Sequence, residues 1–264
     1  MSSSLLRTSI LCFLLIIVSN TEAQKDIIIS DSLTANAEKL NVKMGTQWFG
    51  KIWKFRFGDY AVVSSKLGWL TTSTKGNFFN TKTESKSTEK FSFVLTNKVN
   101  DSASVNAANN IAIQSLHEIE IIPHFFWGNN ELLQETRNFS AFITINGDTS
   151  ETWALFMNVT RGSNSQGSYN AFLTNGERKI FLFPATSNKN GGDNRSLAAL
   201  GYEFIENDQS LSALQYYGGG AFGLNKNIIW INKNADEKMK LILAAASTAI
   251  LQIKANSSQE QLQN

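Results

Sequence analysis

Short runs of alternating apolar and polar residues fill most of the chain. In "KIWKFRF", the apolar Trp53, Phe55 and Phe57 alternate with the basic Lys54 and Arg56. This period of two predicts a strand with an aromatic face and a basic face. Similar runs are "FSFVLTN", "NFSAFITIN", "ETWALFMNV", "YNAFLTN" and "RKIFLFPAT". Many short strands separated by polar turns are typical of antiparallel sandwiches and barrels.

The C-terminal region breaks this strand pattern. Residues 234–254 predict one helix, with Asn234 as its N-cap and Glu237 as the partner in a capping box. Lys254 lies where the helix dipole favours a positive charge. Because residues 241–251 are all apolar or small, the helix has to be buried on every side. A closed barrel with the helix through its middle would bury it in this way.

Two segments of the chain resemble a known superfamily. One is the closing element, "IIWINKNADEKMKLILAAASTAILQI", and the other is an early strand–turn–strand, "FGDYAVVSSKLGW". Both are similar to the tubby-like superfamily, which includes the LURP-one and phospholipid scramblase families. The resemblance implies a mainly β fold, a closed antiparallel barrel of about twelve strands around a hydrophobic C-terminal helix. A β-sandwich with a C-terminal packing helix is the alternative.

The same resemblance sets the expected organisation of the chain. The barrel is expected to cover residues 45–255, after an N-terminal extension at 24–44 and before a polar tail at 256–264. Some members of the superfamily bind phosphoinositides through basic surface residues, which implies an anionic ligand for a basic face of this barrel.

The first 23 residues fit a secretory signal. Arg7 precedes a short apolar run at 10–18, and Ala23 provides a small residue at the cleavage point. The run is too short to cross a bilayer. We therefore expect a secreted or periplasmic protein, released by cleavage of residues 1–23.

Composition removes several function classes. Cys12 is the only cysteine and lies within the predicted signal, so the exported chain is expected to have no disulfides or thiol sites. The net charge of +2 is too small to indicate a nucleic-acid partner. Five N-x-[ST] sequons occur, at Asn100, Asn138, Asn158, Asn194 and Asn256. The high asparagine content produces about this many by chance.

The glycine cluster in "QYYGGGAFGLNKNIIWINKN", residues 215–234, raises the question of nucleotide binding. A P-loop needs a Lys-Ser or Lys-Thr pair before a helix, and a dinucleotide fingerprint also leads into a helix. Here "IIWI" follows, which predicts a strand. We interpret the cluster as a hairpin connection.

The two histidines lie in one segment, "LHEIEIIPHFFWG". Glu118, Glu120 and His124 have the same parity, and His117 faces the other way. Their spacing matches no metal signature. We expect no metal site and no cofactor.

Motifs for catalysis are equally absent from the sequence. Ser163 and Ser165 lie in a predicted loop without a G-x-S-x-G elbow. Glu203 and Glu206 lie on opposite faces of a predicted strand. We therefore predict no catalytic residue, although carboxylates that folding brings together leave a secreted hydrolase as an alternative.

The basic face of "KIWKFRF" is the strongest candidate for a binding site. Lys54 and Arg56 project opposite the aromatic face, with Lys51 just outside the alternation, and paired cations on a rigid strand hold anionic groups. We predict an exported, non-enzymatic binding or structural module that takes an anionic lipid or other amphiphile on its outer face. A further alternative docks on a membrane or a protein partner through "HFFWG", residues 124–128.

Overall fold

The structure is a computed structural model of the chain. It describes residues 26–45, 53–68, 70–76, 82–116, 119–122, 125–127, 131–162, 165–188, 198–218 and 227–263. Strands in the first half are β1 (Ala37–Asn41), β2 (Lys43–Met44), β3 (Phe55–Phe57), β4 (Tyr60–Leu67), β5 (Thr71–Gly76), β6 (Lys82–Thr96), β7 (Ser102–Leu116), β8 (Ile119–Ile122) and β9 (Phe125–Trp127). Those in the second half are β10 (Glu131–Ile145), β11 (Asp148–Gly162), β12 (Ser165–Thr174), β13 (Lys179–Thr186), β14 (Leu200–Glu206), β15 (Gln209–Tyr217) and β16 (Ile228–Asn232). The helices are α1 (Asp31–Asn36) and α2 (Glu237–Gln263).

One antiparallel sheet forms a nearly closed barrel. Its path of strands is β1-β16-β15-β14-β13-β12-β11-β10-β7-β6-β4-β3-β2, and β5 pairs with β6 outside that path. The two ends of the path are consecutive in the chain, because β1 pairs with β16 and β2 pairs with β3. Between them, the Val42 N–H donates to the Asn227 carbonyl oxygen at 2.9 Å. The predicted antiparallel barrel around a C-terminal helix is confirmed.

The barrel interior is filled by alternate side chains of the strands and by α2. On β6, for example, Phe91, Phe93 and Leu95 are all buried. Every α2 residue from Leu241 to Gln252 is buried as well, so no face of this part of the helix meets solvent. This is the environment that the uniformly apolar run predicts. Among the described residues, no helix is long and apolar enough to cross a membrane.

The start of α2 differs from the prediction. The N-cap is Asp236, whose Oδ1 accepts a hydrogen bond from the Met239 N–H at 2.8 Å. Asn234 lies in the turn before it, where its own N–H donates to the Asn232 Oδ1 at 3.0 Å. The predicted capping box between Asn234 and Glu237 is therefore wrong, because the turn after β16 is two residues longer than the sequence suggested.

Both predicted appendages contribute to the folded structure. The segment expected as an N-terminal extension, 24–44, contains α1 and the two strands that close the barrel. Ile27, Leu33 and Leu40 are its buried apolar residues, and their wide spacing gives no alternation from which strands could be predicted. At the other end, α2 continues through most of the expected polar tail, as far as Gln263.

Turn predictions can be compared at two hairpins. Asn146 and Gly147 join β10 to β11 with φ angles of 51° and 74°, as a two-residue primed turn requires. β15 and β16, which flank the glycine cluster, pair antiparallel, as its interpretation as a hairpin connection requires. Residues 219–226 of that cluster lie outside the described part of the chain.

Candidate functional site

A cavity of about 80 Å³ lies at the end of the barrel that the C-terminal half of α2 reaches. β6, β7, β10 and β11 are each 15 residues long, and inward-facing positions beyond the buried core line the cavity. The apolar lining consists of Leu70, Ile111, Phe139, Met157, Val159 and Ile253. The polar lining consists of Ser87, Glu89, Asn109, Arg137, Tyr202 and Lys254. The cavity thus combines an apolar wall with charged groups.

Three cations meet at this end of the barrel. Arg137 on β10 and Lys254 on α2 line the cavity, and Arg161 on β11 is close enough to perturb Lys254 electrostatically. Arg137 forms an ion pair with Glu135, and Glu135 lies directly opposite Arg161 in the β10–β11 register. Glu89 also lines the cavity, so three cations and two carboxylates lie at this end of the barrel and the local charge stays positive.

Tyrosines form the neighbouring wall. The Lys254 Nζ lies 5.7 Å from the Tyr202 ring centroid and 4.6 Å from that of Tyr216, which stabilises the ammonium through cation–π contacts. Tyr169 stacks on Tyr202 with ring centroids 6.0 Å apart. Its hydroxyl is buried and has no hydrogen-bond partner among the described residues. Burial raises the pKa of Tyr169 and Tyr202, so both phenols stay neutral.

The environment of Lys254 is unusual for a lysine. Burial, together with the smaller effect of the Arg137 and Arg161 charges, lowers its pKa from 10.5 to about 8. At neutral pH the side chain is still mostly protonated, so the cavity holds a positive charge that its surroundings disfavour. A bound anion would offset this repulsion and raise the pKa of Lys254.

The predicted basic face lies on the outer wall, away from the interior. Lys54 and Arg56 are exposed, and Phe55 and Phe57 between them are buried, so the predicted alternation is correct. β2 adds Lys43, exposed and directly opposite Arg56. Within the described part of the chain, none of these three cations forms an ion pair. Lys51 lies outside the described residues.

The histidine segment is only partly described. His117, Glu118 and His124 lie outside the described residues. Glu120 belongs to β8, which pairs with β9 in a separate two-stranded sheet. β9 contains Phe125–Trp127 of the predicted docking run, "HFFWG". Among the described residues, no group of three or more His, Cys, Asp or Glu side chains is placed to hold a metal ion.

The candidate carboxylates for hydrolysis have other partners. Glu203 accepts a hydrogen bond from the Ser30 N–H at 2.9 Å. Glu206 accepts two from the Arg178 guanidinium, at 2.9 Å and 2.6 Å. The structure therefore does not bring this pair together. Ser163 lies outside the described residues, and Ser165 begins β12.

Sequence reasoning missed the cavity residues. A helix that ends near Lys254 would account for this charge through the helix dipole, but α2 continues well beyond it. Arg137 lies on a strand whose inward face is charged at Glu135 and Arg137 and becomes apolar from Phe139 onwards. That change at an inward position is the signal in the sequence, and it is visible only once the direction of each strand face is known.

The tubby-like resemblance stays a prediction. Comparison of the chain with protein-family models, with curated proteins and with solved structures found no match.

Proposed function

We propose that this barrel is a non-enzymatic binding module that holds a small anionic amphiphile in its end cavity. The observation that carries the proposal is Lys254, a cation placed beside Arg137 and Arg161 although burial and both arginines disfavour its charge. A group of like charges that lowers the stability of the fold is explained when those charges bind a ligand. The ligand would add negative charge to a site where three cations face two carboxylates, Glu89 and Glu135.

The shape and lining of the cavity define the ligand class. The acidic head group would accept hydrogen bonds from the Arg137 guanidinium and the Lys254 ammonium, which are charge-assisted and therefore strong. The apolar part would contact Phe139, Met157 and Ile253, which share the same cavity. At about 80 Å³, the cavity suits a carboxylate with a short alkyl chain. A long acyl chain would have to extend outside it.

Arg137→Gln is expected to weaken binding of hexanoate at least tenfold, since a charge-assisted hydrogen bond contributes roughly 1.5–3 kcal/mol. Isothermal titration calorimetry of the full chain measures the change. Hexanol, which has the same chain without the charge, should bind more weakly than hexanoate and be insensitive to the substitution.

Arg178→Gln is the matched control, because Arg178 pairs with Glu206 on another part of the barrel. It should bind hexanoate like the parent protein. If the parent does not bind hexanoate, or if Arg137→Gln binds it equally well, the end cavity is not the site.

The outer basic face supports a second candidate function, docking on an anionic membrane. The observation that favours it is the register of β2 and β3, which sets Lys43 against Arg56 with Lys54 two residues away. Three exposed cations on one rigid edge form a compact positive surface. Each basic residue near an anionic bilayer contributes about 1 kcal/mol.

The double variant Lys54→Glu with Arg56→Glu is expected to lose binding to vesicles rich in phosphatidylglycerol, as measured by co-sedimentation. Its melting temperature should stay close to that of the parent, since both side chains are exposed. Lys66→Glu with Lys90→Glu changes the net charge equally at two exposed sites elsewhere on the wall and should retain binding. Equal loss in both double variants would indicate a response to net charge only.

A further inference from the structure

An exposed aromatic patch covers the outer wall of four neighbouring strands. Its members are Phe142, Phe156, Phe172, Phe181 and Phe183 on β10, β11, β12 and β13. Phe142 is 48% exposed and Phe156 is 37% exposed. The Phe156 ring lies 6.2 Å from that of Phe142 and 5.4 Å from that of Phe172. Large apolar side chains grouped on a surface mark a binding face.

A row of asparagines runs beside this aromatic patch. Asn110, Asn138, Asn158 and Asn170 lie directly opposite one another on β7, β10, β11 and β12. The Asn158 Nδ2 donates to the Asn138 Oδ1. With a spacing of 4.7–4.9 Å between strands, the row is about 14 Å long. Each amide has two donors and one acceptor, so the row retains groups for hydrogen bonds to a ligand.

The two features share one face and adjoin each other. On β11, Phe156 and Asn158 are two residues apart and point the same way, as do Asn170 and Phe172 on β12. The outward-facing, even-numbered positions 136–144, 152–160 and 170–174 hold no charged side chain. Lys179 lies at the edge, with its Nζ over the Phe172 ring at 4.2 Å. The face therefore offers aromatic rings and neutral amides.

From this juxtaposition we infer that the outer face of β10–β12 binds a neutral carbohydrate chain. The C–H edges of a sugar ring carry partial positive charge and pack against the negative faces of exposed Phe142 and Phe156. Sugar hydroxyls both donate and accept, as the asparagine amides do. A charged ligand would find no counter-ion along the row.

A protein partner fits these observations less well. A protein partner would bind through the apolar patch, and the centre of such an interface excludes water. A straight row of amides across four strands would contribute little to it. A hydroxyl-rich chain lying along the row uses both features. Only Asn138 and Asn158 begin sequons, whereas Asn110 and Asn170 extend the row beyond them. The row is therefore assigned to an external chain and not to an attached glycan.

The test is calorimetric titration with cellohexaose, an extended neutral chain. The parent protein is expected to bind it. Phe156→Ala should weaken binding at least tenfold, and Asn138→Ala with Asn158→Ala should do the same. These side chains are on the outer wall, so melting temperatures close to that of the parent are expected to show that the variants remain folded.

Val63→Ala is the control for the loss of an exposed apolar side chain, since Val63 is 53% exposed on β4. Asn234→Ala is the control for an exposed asparagine outside the row. Both should bind cellohexaose with an affinity within twofold of that of the parent.

The inference is overturned if the parent does not bind cellohexaose or if the controls lose affinity equally. It is also overturned if the parent self-associates and Phe156→Ala abolishes this self-association instead of cellohexaose binding. Glycans on Asn138 or Asn158 of protein purified from its own host would overturn it as well. It does not depend on the end cavity, and hexanoate binding leaves it unaffected.

Discussion

Ala245→Asp is expected to prevent folding or to lower the melting temperature by about 10–20 °C. Ala245 is fully buried on α2, and an unpaired carboxylate there loses its hydration without gaining a partner. The loss is on the order of 5 kcal/mol, and each kcal/mol changes the melting temperature of a chain of this size by about 2–4 °C. Thermal unfolding followed by circular dichroism measures the effect.

A scan around the helix separates a helix that fills a barrel from one that packs on one side of a sandwich. Successive residues project about 100° apart, so aspartate is placed in turn at Ala244, Ala245, Ala246 and Ser247. All four side chains are buried, and all four variants should be strongly destabilised. Ala35→Asp, at an exposed alanine of α1, should melt within a few degrees of the parent. One well-tolerated aspartate in the scan would contradict the enclosed helix.

The parts of the fold that sequence predicts well are those where side-chain period and burial coincide. Phe55 and Phe57 are buried and Lys54 and Arg56 are exposed, as the alternation predicts. The apolar run of α2 is enclosed for the same reason. The closing strands at 37–44 could not be predicted, because they are short and contribute few apolar residues. Their pairing depends on β3 and β16, which lie at distant positions in the chain.

The candidate sites depend on which residues the barrel brings together, and this is why the sequence predicts them poorly. Arg137 and Lys254 line the same cavity because α2 runs along the inner face of β10. The two residues are far apart in the chain, so no local sequence pattern predicts that they lie close together. The asparagine row depends on the register of four strands, where a shift by one residue would send the side chains inward. The outward direction of Lys54 and Arg56, which one strand alone determines, was predictable.

Lys254→Met is expected to stabilise the protein at pH 7 by about 2 kcal/mol, while hexanoate binding is lost. The pKa of Lys254 is lowered from 10.5 to about 8 by burial and by Arg137 and Arg161, so at pH 7 the folded state holds a proton that it binds less tightly than the unfolded state does. A difference of one pKa unit corresponds to about 1.4 kcal/mol, and remaining solvent contact reduces the full value. Methionine keeps the apolar contacts of the lysine stem without the charge.

This gain should depend on pH. Between pH 8 and 10.5 the unfolded state binds more protons at Lys254 than the folded state, so the stability of the parent rises with pH in this window. The advantage of Lys254→Met should therefore shrink from pH 7 to pH 10 in urea unfolding experiments. The parent's affinity for hexanoate should also fall as the pH rises above about 8, since Lys254 then loses its charge.

Lys238→Met is the matched control on the same helix. Lys238 is exposed and pairs with Glu151, and an exposed ion pair contributes less than about 1 kcal/mol. This variant should be slightly less stable than the parent and bind hexanoate normally. If Lys254→Met is also less stable at pH 7, the lysine is a structural element of the barrel end. Greater stability together with lost binding identifies Lys254 as a charge that the fold retains for a ligand.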